Sequence, residues 1–421
     1  MRTAILFLTL LLGLLANTAD AVSLDSSGRN AQVLIFPAFT TIGGYETDFT
    51  IRNNTNQGKA LRVLTKDSLG GRPTISVNVY LKPGDSWNAR LVGKPAFSAT
   101  LVSNDESCTI PRVTFPSATP AQLDSNLDSE RLPRSQLNTG YIEVFEMGEI
   151  SAELAADCDG IERRFLDGVW STGEVMVNQD VSQPGGGLSG MSYIRDTDRG
   201  NTLAFRPTGL ADFSTVPNHT VSRRAGRPSL ANVVPAEAQI DGQTFAFSAS
   251  PINAVEAALM TQQLSAEYFS ERQTRAFANA MVLFPTRPFH ANPGFYRAFS
   301  ESPFDVNDTQ VSGNLVDNTG DRLDDVSPPT AGQQCDRYTA ALNFVSLIDF
   351  FAFSAVCELG EAQLFLFDDD VRGVLELPMI GAVVADDGTT FNGLPAIGHL
   401  LQTTTANADE FGVYAVPMIR Q

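Results

Sequence analysis

Histidine is the scarcest reactive side chain in this sequence: 421 residues contain only His219, His290 and His399, in unrelated segments. Nucleophilic catalysis wants a Ser or Cys beside a His base, and zinc hydrolysis wants an HExxH pair. Neither neighbourhood is present. The GxSxG nucleophile elbow fails too, because Gly187-Leu188-Ser189-Gly190 runs on into Met191. His219 and His290 both flank turn residues, which predicts surface or loop-pinning roles. Lysine is restricted to Lys59, Lys66, Lys82 and Lys94, and every other basic residue is Arg. Against 48 acidic residues the 29 basic ones leave a formal net charge of −19, a balance that repels nucleic-acid phosphates and anionic lipid. No nucleic-acid partner is expected. Long apolar runs are also missing after the first 21 residues, so no later segment reaches the roughly 18 to 20 residues of a membrane-spanning helix.

What is present at the N-terminus is a leader. Arg2, the apolar run from Ala4 to Ala16 and the small-x-small string Ala19-Asp20-Ala21 predict a secretory signal peptide over residues 1–21. The expected product is secreted, whether to periplasm, cell surface or medium, with no transmembrane segment. About 400 residues remain, enough for two or three domains. Four cysteines in an exported chain are read as disulfides, with three pairings open to them. The sequential choice joins Cys108 to Cys158 and Cys335 to Cys357. The four are far apart, with no CxxC, so they do not resemble a metal site.

From residue 31 to about 102 short alternating strands are separated by turns: VLIFP (33–37), TDFTIRN (47–53), ALRVLTK (60–66), TISVNVYL (74–81), SWNARLV (86–92) and SATLVS (98–103). GYIEVFEMGEI (140–150) returns to the same layer after a polar stretch. This spacing predicts an antiparallel sandwich with one dry and one wet face per sheet. Residues 152–170 predict one or two short helices. QPGGGLSG (183–190) contains GxGxxG at Gly185, Gly187 and Gly190, but MSYIRDTD after it reads as a strand, so the loop is a strand connection rather than a phosphate cradle. A long helix is expected from Asn253, with Glu256 in a capping-box position, to about Arg272. Its apolar residues on two faces predict packing between two β regions. AMVLFPTRPF (280–289) opens a second β-rich stretch. The fold expected is mainly β, with two antiparallel sandwich-like regions, one long helix and short helical insertions. Its parts are an N-terminal sandwich (22–150), a mixed segment (151–275) and a C-terminal β-rich domain (276–421).

Carboxylates are plentiful. Asp317, Asp321, Asp324 and Asp325 form an oxygen-rich loop that could hold calcium, although its glycine is misplaced for the standard calcium loop. No other cofactor is expected. Asn53, Asn218 and Asn307 begin N-x-Thr sequons. Trp87 and Trp170 are candidate ligand-binding aromatics, with core placement as the alternative.

Several strings, VLIFPAFTT (33–41), LKPGDSW (81–87), SCTIP (107–111), GYIEVFEMGE (140–149), GGGLSGMSYI (185–194) and AVEAALM (254–260) leading to MVLFPTRPFH (281–290), resemble uncharacterised exported, hypothetical or cell-surface proteins of proteobacteria. The resemblance runs from about residue 31 to residue 290. It implies bacterial origin, export and a β-rich fold, and it supplies no catalytic residue. The function expected is therefore non-enzymatic: a structural, adhesive or binding role at the cell surface or in the envelope, with self-assembly or an extracellular ligand as the partner. A polysaccharide-binding module is the first alternative, predicting an exposed aromatic row with Trp87 or Trp170. A carboxylate-based hydrolase is the second, predicting a pocket with two converging Asp or Glu, one of raised pKa.

Overall fold

Period-two patterning builds the first half of the molecule. In β3 (Tyr45–Asn53) Thr47, Phe49 and Ile51 point inward while Glu46, Asp48, Thr50 and Arg52 face outward, the alternation of a strand covered on one side. The computed structural model describes residues 21–68, 70–94, 98–113, 119–120, 137–170, 180–198, 200, 202–220, 227–270, 277–290, 314–317, 322–323, 342–346, 356–358, 371–407 and 410–421. Its first sandwich is made of β1 (Ser23–Leu24), β2 (Val33–Thr40), β3, β4 (Gly58–Asp67), β5 (Pro73–Leu81), β6 (Ser86–Lys94), β7 (Ser98–Val102), β8 (Cys108–Ile110), β9 (Thr119–Pro120), β10 (Thr139–Ile150), β11 (Leu188–Asp196), β12 (Thr202–Phe205) and β13 (Thr208–Ala211). One sheet runs β1-β13-β2-β10-β4-β5-β8 and the other β12-β11-β3-β6-β7-β9. Both sheets therefore draw strands from beyond residue 150, where the N-terminal sandwich was expected to stop.

Between the sheets, Phe36, Phe39, Val63, Val77 and Val144 of the seven-stranded layer meet Phe49, Ile51, Trp87, Leu91 and Leu101 of the six-stranded one. Trp87 and Phe49 are edge-to-face with ring centroids 5.6 Å apart, an arrangement aromatic quadrupoles favour. The six-stranded sheet follows the expected dry-and-wet pattern. The seven-stranded sheet does not: β2 and β4 are buried at every position and β10 at all but one. Its far side is covered by α1 (Ala152–Ala156) and α2 (Cys158–Leu166), through Leu154, Ile161 and the adjacent Trp170, and by Phe213, Leu230 and Val255. The Cys108–Cys158 disulfide ties β8 to α2. Cys335 lies outside the described residues, and with it the second expected pairing.

The long helix is replaced by a helix and a strand. α3 spans Ile252–Leu259, begins after Pro251 rather than Asn253, and has no side-chain cap, so the expected capping box is not formed. Gln263–Ser270 is then a strand paired with Val371–Pro378 on one side and Ile419–Arg420 on the other. Leu264, Ala266 and Tyr268 are buried in it at period two, which is the strand spacing; on a helix Ala266 would face away from Leu264 and Tyr268. The expected burial from two sides holds for α3 itself, where Asn253 alone is not buried.

Gln263–Ser270 is central in a five-stranded sheet ordered Arg322–Leu323, Asn314–Asp317, Val371–Pro378, Gln263–Ser270, Ile419–Arg420. A second sheet runs Val356–Glu358, Leu342–Ser346, Phe277–Leu283, Ile397–Asn407, Glu410–Pro417. Leu264, Leu375 and Met418 from one face Ala280, Val282 and Leu400 from the other, which makes a second sandwich that starts before residue 276. α3 joins the halves: Ile252, Val255 and Leu259 share one core with Val33 and Phe145 of the first sandwich and Met281, Leu283 and Ile397 of the second.

Candidate functional site

The outward side of the six-stranded sheet forms a concave cleft of about 810 Å³. Strand register sets its chemistry. Tyr193 on β11 lies opposite Asp48 on β3, which lies opposite Arg90 on β6, and Arg195 lies opposite Glu46 one pleat along. Each guanidinium reaches both carboxylates: Arg90 contacts Asp48 at 2.6 Å and Glu46 at 3.2 Å, and Arg195 contacts Glu46 at 3.1 Å and Asp48 at 3.2 Å. All four side chains are half-buried, and the hydrogen bond that Arg90 donates to Asp48 holds its guanidinium above the usual range. Beside this square the Thr50 hydroxyl donates to Asn88 Oδ1, and the Asn88 amide donates to Asp105. The donors and acceptors are thus ordered before any ligand arrives. Tyr193, 38 % exposed, supplies the aromatic surface of the cleft.

Charged residues on the seven-stranded sheet are internal instead. Lys59 Nζ is fully buried, 2.7 Å from both Glu146 and Glu149. The glycine loop completes this cluster, with Gly185 and Gly186 N–H donating to the two oxygens of Glu146 at 2.9 and 2.8 Å. Gly186 has φ +73°, and a Cβ there would stand 2.7 Å from the Asn30 carbonyl oxygen, so the approach needs glycine. The loop leads into β11 as the sequence implied, and the anion it cradles is the protein's own carboxylate.

His219 is fully buried rather than at the surface. It is packed against Trp170, Phe165 and Tyr80, with ring centroids 4.5, 5.6 and 5.9 Å away, and its Nε2 is 3.1 Å from the Tyr80 hydroxyl. Burial first, and the Arg62 charge second, hold its pKa down to about 3. His399 is also buried and is lowered to about 4 by burial alone. His290 is paired with Glu256 of α3, which pins the loop after Leu283. None of the three lines the cleft.

The hydrolase pattern is split between places that do not meet. Burial raises the pKa of Glu143, Glu146 and Glu256, but these sit in the interior, bound to Lys66, Lys59 and His290. The carboxylates of the cleft, Glu46 and Asp48, are both tied to arginines. A carboxyl acting as general acid must be protonated and within reach of its substrate, and none of these five carboxyl groups combines the two.

Trp87 is 0 % and Trp170 1 % exposed, so the aromatic row expected around either one is not formed; both are core. Of the calcium candidates, Asp317 ends a strand, and Asp321, Asp324 and Asp325 lie outside the described residues. Among the described residues no group of three or more His, Cys, Asp or Glu is placed to hold a metal ion, and no helix is long and apolar enough to cross a membrane. The Asn53 amide is buried and bonded to the Gln57 and Lys82 carbonyls, while Asn307 is outside the described residues. The cleft residues Glu46, Asp48, Arg90, Tyr193 and Arg195 were not singled out from sequence. Their outward positions in YETDFTIRN and MSYIRD carried a signal, but one shared with any solvated strand face. The chain matches no family model, no characterised protein and no solved structure in these comparisons.

Proposed function

We propose that this is a non-enzymatic, exported binding protein acting at the cell surface or in the envelope, with the cleft on the six-stranded sheet as its ligand face. The observation that carries the reading is the Arg90–Asp48–Arg195–Glu46 square beside Tyr193: a concavity within the size range of ligand sites, lined by a few fixed polar groups and one aromatic. Export is supported by the leader-like first 21 residues, by the Cys108–Cys158 bridge and by the resemblance to exported proteobacterial proteins.

Strand addition finds little backbone on the first sandwich, whose described edges are short, while the eight-residue edge Glu410–Pro417 of the second sandwich keeps self-assembly as the second reading. β1 has two residues, β8 three and β12 four, and short edges offer little backbone for a foreign strand to pair with. The test is equilibrium binding of the full chain to soluble neutral and acidic polysaccharides and to peptidoglycan fragments, with wild type compared with Arg90→Ala/Arg195→Ala. The expected result is retention of at least one ligand, loss of it in the variant, and recovery of that ligand unaltered. Release of new reducing ends or cleaved fragments would replace the reading with a hydrolase, and failure of every ligand to bind would remove it.

A further inference from the structure

We propose that the occupant of the cleft is a neutral, hydroxyl-rich chain, an uncharged oligosaccharide, seated on Tyr193 and held by the Arg90–Asp48–Arg195–Glu46 square. This rests on the cleft being a binding face and adds what it selects. The square is charge-compensated: two guanidiniums and two carboxylates, each cation touching both anions. An anionic ligand on a spare guanidinium N–H lies beside Glu46, Asp48 and Asp105, in a chain of net charge −19, and comes closer only by exchanging with a carboxylate. A cation on a spare carboxylate lone pair lies beside Arg90 and Arg195 and comes closer only by exchanging with an arginine. Either exchange breaks charge-assisted hydrogen bonds, which are about twice as strong as neutral ones.

A hydroxyl breaks none of them. It donates to a spare carboxylate lone pair and accepts from a spare guanidinium N–H, and arginine carries five such donors while each carboxylate accepts at about four sites. Vicinal hydroxyls match neighbouring donor and acceptor on the square. Thr50, Asn88 and Asp105 extend the same chemistry along the sheet. Tyr193 gives the apolar face of a sugar ring a surface to lie on, and its ring is the one large aromatic of the cleft that is open to solvent. The row Tyr193, Asp48, Arg90 and Val102 crosses four strands, a span of about 14 Å at the usual strand spacing. That span suits several linked rings better than one.

The experiment is calorimetric or NMR titration of the full chain with neutral hexasaccharides of β1,4-glucose, α1,4-glucose, β1,3-glucose and β1,4-xylose, and with hexagalacturonate. Wild type is compared with Tyr193→Ala and Tyr193→Phe, and urea midpoints confirm that both variants fold. Binding of a neutral hexasaccharide, weakened at least tenfold by Tyr193→Ala and kept within about threefold by Tyr193→Phe, is the expected outcome. Binding of hexagalacturonate alone, lost in Tyr193→Ala, would overturn the neutral-ligand inference and leave the cleft as a binding face. Neutral binding insensitive to Tyr193→Ala would move the ligand elsewhere and overturn this site. Absence of binding by any of the five sugars overturns the inference, and the peptidoglycan titration then decides whether the cleft is a binding face at all.

Discussion

Replacing His219 with phenylalanine should flatten the acid side of the stability profile. The imidazole is enclosed by Tyr80, Phe165 and Trp170 with Arg62 close by, and its pKa in the fold is lowered to about 3. In the unfolded chain a histidine titrates near 6.5. Between those values the unfolded state takes up a proton that the fold refuses, so the stability His219 contributes is complete above pH 6.5 and is lost progressively as pH falls towards about 3. One pKa unit is worth about 1.36 kcal/mol, so at pH 5 the loss is about 2 kcal/mol. His219→Phe leaves the Tyr80 hydroxyl without this partner and should be less stable at neutral pH by about 1 to 3 kcal/mol. The informative quantity is the gap between wild type and variant, measured by urea unfolding followed through tryptophan emission. That gap should shrink by about 2 kcal/mol between pH 7.5 and pH 5. His399 titrates in both proteins and cancels. A gap that stays constant with pH would mean that the buried imidazole is protonated in the fold without penalty, and would refute the enclosure argued from the ring contacts.

Three further outcomes test the interior. Lys59→Met leaves Glu146 buried without its cation and should destabilise by about 3 to 5 kcal/mol in urea unfolding, while Lys59→Met/Glu146→Gln should recover part of that loss, because the neutral amide removes the unpaired charge and keeps an acceptor for the Gly185 and Gly186 N–H groups; equal losses in the two variants would show that the pair is solvated. The Cys108–Cys158 bridge closes a loop with a sequence separation of 50, so Cys108→Ala/Cys158→Ala should cost about 4 kcal/mol by loop-closure entropy, read as a lower urea midpoint than the oxidised wild type. Gly186→Ala forces a side chain onto a φ of +73° and against the Asn30 carbonyl, for an expected loss of about 1 to 3 kcal/mol; a midpoint unchanged from wild type would show that the loop can shift without releasing Glu146.

The strands of the first sandwich were legible because their turns are explicit and their period is two: Ile75, Val77, Val79 and Leu81 mark β5 in the sequence, and all four are buried in the structure. What the sequence concealed was the number of covered faces. Lys59, Arg62 and Lys66 on β4 lie inside, matched with Glu146, Asn78 and Glu143 from other strands. Buried charge is rare enough that a lone strand with alternating charges is read as half-wet, and only the pairing of β4 with β10 shows the partners. Residues 252–270 failed for a different reason. Ile252, Val255 and Leu259 fit a helix, whereas Leu264, Ala266 and Tyr268 follow period two, and a helical reading passes Met260 only by assigning apolar residues to two faces, with no Gly or Pro there to mark the change of period. The cleft was hidden because its residues come from β3, β6 and β11, whose adjacency is a matter of topology.

The two sheets of one sandwich thus use similar residues to opposite ends. On the seven-stranded sheet, lysine and glutamate meet where water is excluded, so each cation is committed to its partner and the cluster is closed off by Gly185 and Gly186. Outside on the six-stranded sheet, arginine and carboxylate meet at a surface still 25 to 40 % exposed, where a surface ion pair alone adds little stability. Four such side chains crossed into one network therefore have a weak justification as fold stabilisers. Their backbones are nonetheless rigidly placed, because the inward neighbours Phe49, Ile51 and Ala89 are locked against Trp87, Phe36 and the rest of the sandwich core. Polar groups oriented by such a scaffold spend little entropy when a ligand binds. That is the physical ground for proposing recognition on this face, and for treating the interior charges as part of the scaffold.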